Sequence, residues 1–312
     1  MEQPDSQSGG DAREDNDLRQ RSSASSTATS PYRRSIVLSS IGLGVFIAVA
    51  VVYALSFRDD GPSLATSGLV QGEVLVRAPG RPEWEPLRGI NAPIVPGTEL
   101  RATEAGRLGL TLADGASLRL DAGTDLTIAS ARRFELTRGA AYVDVGATVL
   151  GEPYAIATPY ATVSEIGSQI EATVADDSLR LRVRDGEASI VTTAGDDVTA
   201  ATGEQLHIDG EGDVVRDYVM PHDGDWAWVE TLAGTPIVDG RPLTQFLDWV
   251  ARETGRPIRY DSPLTETSVA TAVLQGNADN LTPMQALDVM LSMTEFDYSL
   301  RWDGSIVIEP RP

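Results

Sequence analysis

Arg180, Arg182 and Arg184 alternate with Leu181 and Val183, so on a strand the three guanidiniums share one face. A guanidinium offers a planar fork of donors that matches carboxylate and phosphate oxygens. Such a row could hold an acidic partner or an anionic glycan. It could equally be a solvated face paired with Asp or Glu on neighbouring strands, each pair contributing ~0.2–1 kcal/mol. Trp226 and Trp228 stand two apart beside Asp223 and Asp225. On a strand they would face one side, either as a docking surface for a partner or as packing between two domains.

Other chemistry has little material. His207 and His222 are the only histidines, and no acidic cluster accompanies them at metal-ligand spacing. Asp59-Asp60, Asp176-Asp177 and Asp196-Asp197 read as solvated linkers or turns, because no glycine-turned loop gathers enough oxygens for calcium. There is no cysteine, which excludes disulfides, thiolate metal sites and cysteine nucleophiles. No G-x-S-x-G, phosphate-binding G-x-x-x-x-G-K-[ST] or H-E-x-x-H occurs. The expectation is a protein that is not an enzyme and uses no cofactor or metal.

The elements that would position these residues are mostly strands. Leu108, Leu110 and Leu112 alternate with small or polar residues; Asp114-Gly115 follows, then Leu118 and Leu120 alternate again. Period two broken by Asp-Gly signals a hairpin. The same grammar returns at Leu179, Leu181 and Val183, then Asp185-Gly186, then Ala188 and Ile190. Further strands are predicted at 69–77, 125–129, 133–137, 141–146, 153–158, 161–166 and 169–175. Residues 68–210 are thus an all-β domain, an antiparallel sandwich or roll with one buried and one wet face per strand. Residues 211–233 read as a linker.

Residues 234–312 change character. Leu243, Phe246, Leu247 and Val250 make an amphipathic stripe closed by Gly255 and Pro257. Thr282, Pro283 and Gln285 open a second helix with a capping box. Strands are expected at 258–260, 269–274, 298–302 and 305–308, with Asp303-Gly304 turning the last pair. The expectation is a small α+β domain.

Residues 36–57 are 22 residues without a charge, roughly 33 Å as a helix against a hydrocarbon thickness of about 30 Å. Arg33 and Arg34 precede this predicted transmembrane helix, and Asp59 and Asp60 follow it. That asymmetry places the N-terminus in the cytoplasm and the C-terminal domains outside. Ser40, Gly44 and Ala48 recur every fourth residue, a spacing that lets two helices approach as a homodimer and that is also common without pairing. Residues 1–35 are polar and low in complexity, a disordered cytoplasmic tail, and 58–67 a short linker. The 25 basic residues are all Arg against 46 acids, a net charge of −21. That excess speaks against nucleic acid as a partner.

The β region resembles the periplasmic domain of FecR-like sigma-factor regulators. The resemblance rests on four stretches in order. They are Pro96-Gly97-Thr98-Glu99-Leu100-Arg101-Ala102-Thr103 with Gly106, and Leu112-Ala113-Asp114-Gly115-Ala116-Ser117-Leu118-Arg119-Leu120. The third runs from Pro153-Tyr154-Ala155-Ile156-Ala157-Thr158 through Val163 to Gly167-Ser168-Gln169-Ile170. The fourth is Leu181-Arg182-Val183-Arg184-Asp185-Gly186-Glu187-Ala188 with Gly203-Glu204-Gln205-Leu206. The C-terminal part is similar to the secretin/TonB short N-terminal domain through Trp228, Pro242-Leu243, Thr254-Gly255, Leu274-Gln275-Gly276-Asn277 and Leu281-Thr282-Pro283-Met284-Gln285-Ala286-Leu287.

The resemblance implies an inner-membrane protein, anti-sigma in type. Its periplasmic domains would bind a protein partner such as an outer-membrane receptor's signalling domain, with sigma-factor activity as the output. Sigma-binding members carry a helical cytoplasmic region with tryptophans. Here the 32 residues before Arg33 have no Trp and no apolar stripe. The alternative is therefore an envelope scaffold, or a cell-wall or polysaccharide-binding protein, without sigma-factor contact.

Overall fold

The computed structural model describes residues 63–146, 152–165 and 168–312. The first strands are β1 (Ala65–Gln71), β2 (Val74–Arg77), β3 (Glu85–Pro86), β4 (Pro93–Ile94), β5 (Thr98–Ala102), β6 (Arg107–Leu112), β7 (Ser117–Leu120), β8 (Asp125–Ser130) and β9 (Arg133–Asp144). They continue as β10 (Tyr154–Ala157), β11 (Ala161–Glu165), β12 (Gln169–Ala175), β13 (Ser178–Asp185), β14 (Glu187–Thr192), β15 (Asp197–Ala201), β16 (Glu204–Asp209) and β17 (Val214–Tyr218).

Pairing sorts these into two sheets. The front sheet runs β4-β1-β6-β7-β9-β12-β13-β16-β17. The back sheet runs β3-β2-β5-β8-β9-β10-β11-β14-β15. All these pairs are antiparallel except β9 with β10. The inward residues of both sheets, among them Leu118, Leu120, Phe134, Val143, Ile170, Leu181 and Ile190, form one buried core. Each buried Leu, Ile or Phe contributes roughly 1.5–3 kcal/mol relative to exposure. The protein is mainly β, as its alternating pattern predicts.

Strand β9 belongs to both sheets. Its first half pairs with β8 in the back sheet, and its second half pairs with β12 in the front sheet. The change of sheet falls at Gly139, whose φ is 81°. A Cβ there would lie 2.5 Å from Thr124 Cα and 2.7 Å from the Gly123 carbonyl oxygen. Both obstacles are backbone, and the left-handed conformation disfavours any side chain. Gly139→Ala is expected to cost about 2–3 kcal/mol through backbone strain and overpacking. Urea unfolding of the full chain measures it, and a loss below about 0.5 kcal/mol, the usual scatter of neutral sites, would show that the crossing relaxes.

Asp114-Gly115 turns the β6–β7 hairpin, as the alternation predicts. Asp185-Gly186 does not make a hairpin. Strand β13 lies in the front sheet and β14 in the back sheet, so Gly186, at φ 85°, carries the chain around a sandwich corner. The two dipeptides are identical, and the sheet that can accept the next strand decides the outcome. The pattern predicts two strands at 133–137 and 141–146, and the structure joins them into β9. Of the predicted linker at 58–67, residues from Ala65 onward already belong to β1.

Residues 211–233, predicted as a linker, hold a strand and two helical turns. Strand β17 pairs with β16. A 3-10 turn at Gly224–Trp226 leads into α1 (Ala227–Glu230), capped by the Asp223 side chain, which accepts from the Asp225 backbone N–H. The C-terminal module follows with α2 (Leu243–Thr254), β18 (Ile258–Tyr260), α3 (Pro263–Thr271), α4 (Pro283–Ser292), β19 (Phe296–Leu300) and β20 (Ile306–Pro310). Its sheet order is β18-β20-β19, with β18 parallel to β20. Phe246, Leu247 and Val250 of α2 share a core with Leu287, Met290 and Leu291 of α4. The Thr282–Gln285 capping box forms, and Gly255 closes α2 in the left-handed conformation.

One strand prediction fails here. Residues 269–274 are the end of α3 and a single bridge from Val273 to Pro242. The β-branched Thr and Val residues suggest a strand. The Ser262 cap on Thr265 N–H, with Pro263 in the first helical turn, starts a helix instead, and Thr265 and Val269 are buried by it.

Among the described residues no helix is long and apolar enough to cross a membrane. The predicted span 36–57, Arg33, Arg34, the Ser40/Gly44/Ala48 stripe and the tail lie outside the described residues.

A candidate partner-binding surface and the seam behind it

Period two sends Leu118, Val143, Ile170 and Leu181 into the core, so their neighbours line the outer face of the front sheet. Register then makes a row. Arg119 of β7 faces Tyr142 of β9, Tyr142 faces Glu171 of β12, and Glu171 faces Arg182 of β13. The face predicted to be wet is covered here. Arg119, Tyr142, Glu171 and Arg182 are all buried, because the segment from Pro221 to Ala233 and the end of α2 lie on them.

Charge pairing closes this seam. Arg182 makes a two-pronged bond to Glu171 at 2.6 and 2.9 Å and a third bond to Asp225 at 2.9 Å. Arg184 donates to the Pro221 carbonyl at 2.7 Å and to Glu230 at 3.1 Å. Arg119 donates to both oxygens of Glu253, at 2.7 and 2.9 Å, and to the Val229 carbonyl. Arg252 pairs with Asp144, which also accepts from Gln169 at 3.0 Å. The planar fork of Arg suits these bonds, and a Lys could not reproduce them.

The tryptophans sit inside the same seam. Trp226 is fully buried, donates to the Met220 carbonyl at 2.9 Å, and meets Tyr142 edge-on at 6.2 Å. Arg182 and Arg184 stack on its ring at 4.6 and 5.2 Å. Trp228 donates from its indole nitrogen to Glu171 at 3.0 Å. Burial pulls the Arg119 guanidinium down, but the charge and hydrogen bonds of Glu253 outweigh it and leave it above the ordinary arginine value. Burial pushes the Glu230 carboxyl up, and Arg184 only partly offsets this.

These positions correct the docking reading of the candidates. Arg182, Arg184, Trp226 and Trp228 are buried within the protein and offer no surface to a partner. The tryptophans pack a junction, from a helical turn and not from a strand. Arg180 alone is half-buried, 3.7 Å from Glu171 and near Thr173. His207 and Gln205 meet on the exposed face of β16. Glu171, Glu253, Asp144 and Arg119 escape a reading of the sequence, because their partners lie up to 134 residues away.

An open surface lies beyond the seam. Among the described residues, strand β17 is the last strand of the front sheet and pairs on one side only, with β16. Val215 and Tyr218 on it are exposed, as is Met220 just after, Tyr218 at 76 %. An edge of this kind presents backbone donors and acceptors to an incoming strand. The chain then reaches His222, whose ring lies against Gly304 in the β19–β20 turn: a Cβ at Gly304 would come within 2.2 Å of it. The next residue out on that turn but one, Trp302, is 98 % exposed. Among the described residues no group of His, Cys, Asp and Glu could hold a metal ion.

Residues 98–189 match the family described as FecR protein. No curated protein matches the chain. Two crystal structures of a candidate anti-sigma factor from Parabacteroides distasonis ATCC 8503 are similar at 19 % identity, each covering 69 % of this chain and 99 % of that one, with TM-scores of 0.38 and 0.36. The FecR match runs from the start of β5 into β14 and holds Arg119, Tyr142, Asp144, Glu171 and the three arginines of β13. Residues 98–189 of this chain are thus similar to the FecR family, and this region supplies the sheet side of the seam.

Proposed function

We propose that the chain is a non-catalytic regulator of envelope signalling, anchored in the bacterial inner membrane by residues 36–57, with its folded part in the periplasm. In this reading a protein partner, such as the signalling domain of an outer-membrane receptor, adds to the β17 edge. The observation that carries it is that unpaired edge with Val215, Tyr218 and Met220 exposed beside it. The FecR match supports the regulatory class. The seam supports a rigid platform, because a partner that binds β17 pulls on a body clamped by buried ion pairs.

Photo-crosslinking in cells tests the reading. A benzophenone amino acid at Val215 or Tyr218 is expected to trap a second protein, while one at exposed Glu135 on the back sheet traps none. Equal yields at the three positions would defeat it.

A second reading has its own observation. The tail before Arg33 has no Trp and no apolar stripe. An envelope scaffold that binds cell-wall or secretion components needs no such tail. A pull-down with residues 1–34 separates the two, since recovery of a sigma factor supports the regulator and its absence supports the scaffold.

A further inference from the structure

A cleft of about 400 Å³ opens along the seam, between the end of β13 and the end of α2. Arg184, Arg252 and Arg256 line it, together with Thr202, Asp185 and Asp248. Three guanidiniums thus surround one cleft in a chain of net charge −21.

Arg184 is wholly buried and spends Nε on Pro221 and Nη2 on Glu230. Its Nη1 is buried with no hydrogen-bond partner among the described residues. An unmet donor on a buried cation is costly, and such groups are rare in folded proteins. Arg252 spends Nε and Nη2 on Asp144. Arg256 makes no ion pair among the described residues; its guanidinium donates only to the Gly304 carbonyl, at 3.0 Å. Asp185 and Asp248 are exposed, and neither pairs with these arginines.

The cleft is also preformed. Gly255 brings the end of α2 against the sheet side: a Cβ there would lie 2.1 Å from the Pro221 carbonyl oxygen and 2.8 Å from Arg184 Nε. His222 reports the local field. Burial and then Arg256 hold its imidazole below the ordinary histidine value, with Arg184 adding to them, and Asp223 and Asp303 do not reverse it.

We propose that this cleft binds a small oxyanion, a carboxylate or a phosphate, held between Arg184 of the β domain and Arg252 and Arg256 of the C-terminal module. The forked donors match that chemistry, and charge-assisted bonds of this kind are the strong ones. An anion so placed bridges both sides of the seam and favours their docked arrangement by mass action.

The chain's two histidines give the test. Full-length protein, purified in detergent at pH 7, is titrated with sodium phosphate, sodium succinate or sodium chloride at matched ionic strength, and the imidazole NMR signals are followed. The His222 signals are expected to shift saturably with phosphate, succinate or both, and the midpoint of its proton titration to rise as the arginine charge is neutralised. His207 pairs opposite Arg180, at the other end of β13 from the cleft, and is expected to stay still. Arg256→Gln, at a half-buried site with one side-chain bond, is expected to weaken binding roughly tenfold or more. Saturation by phosphate alone assigns a phosphoryl ligand, by succinate alone a carboxylate, and by both a general oxyanion site. The proposal fails if chloride produces the same response, if both histidines move together, if neither moves, or if Arg256→Gln binds as tightly as the native chain.

Discussion

Replacing Glu171 by alanine is expected to lower the unfolding free energy by about 3–5 kcal/mol. Glu171 is 1 % exposed and accepts four hydrogen-bonding or charged contacts from three side chains: Arg182 twice, Trp228, and Arg180 at 3.7 Å. Its loss leaves the Arg182 guanidinium, buried beneath Trp226, with Asp225 as its remaining carboxylate. The cost comes from that half-paired buried cation and not from the net worth of the pair, which desolvation largely cancels. Arg180→Ala is the control. Arg180 is half-exposed, so removing it is expected to cost under about 1 kcal/mol. Urea unfolding followed by tryptophan fluorescence measures both, and equal losses would contradict the account.

Trp226→Ala is expected to cost about 3–5 kcal/mol by creating a cavity under a fully buried ring. The ring does more than fill space. It is the surface on which Arg182 and Arg184 stack and against which Tyr142 packs edge-on. If Trp226 were a docking residue for a partner, its removal would weaken association and spare stability. The account predicts the opposite order: stability falls in the isolated protein. A change below about 1 kcal/mol, the centre of ordinary point substitutions, would restore the docking reading.

Much of the fold is legible in the sequence because it depends on local signals. The alternation of Leu108, Leu110 and Leu112 fixes which face of β6 is buried, and Thr282-Pro283 with Gln285 fixes where α4 begins. Local signals fail where distant chain decides. Asp114-Gly115 and Asp185-Gly186 are the same dipeptide, yet one turns a hairpin and the other changes sheet. Residues 269–274 carry strand-like side chains, but a serine cap seven residues earlier commits the segment to α3.

The seam is the least legible part. Arg182 and Arg184 alternate with apolar neighbours, which is the pattern of a half-wet strand, and nothing local says that residues 221–233 will cover them. Glu253 sits in the last turn of α2, and only the tertiary fold brings it to Arg119. The tryptophan pair is ambiguous for a different reason. A spacing of two suits a strand, while Asp223 followed by Asp225 is the start of a helical turn, and the cap prevails. The net acidic charge hides how many of the arginines serve inside the molecule.

Hydrogen–deuterium exchange on the intact chain examines the clamped seam without altering a residue. If residues 224–233 are fixed on the front sheet, their helical amides exchange as slowly as those of α2, hours behind the amides of the exposed β14–β15 turn. Exchange of 224–233 within seconds, while β12 and β13 stay protected, would mean that the segment is a loose tether and that no rigid platform stands behind β17.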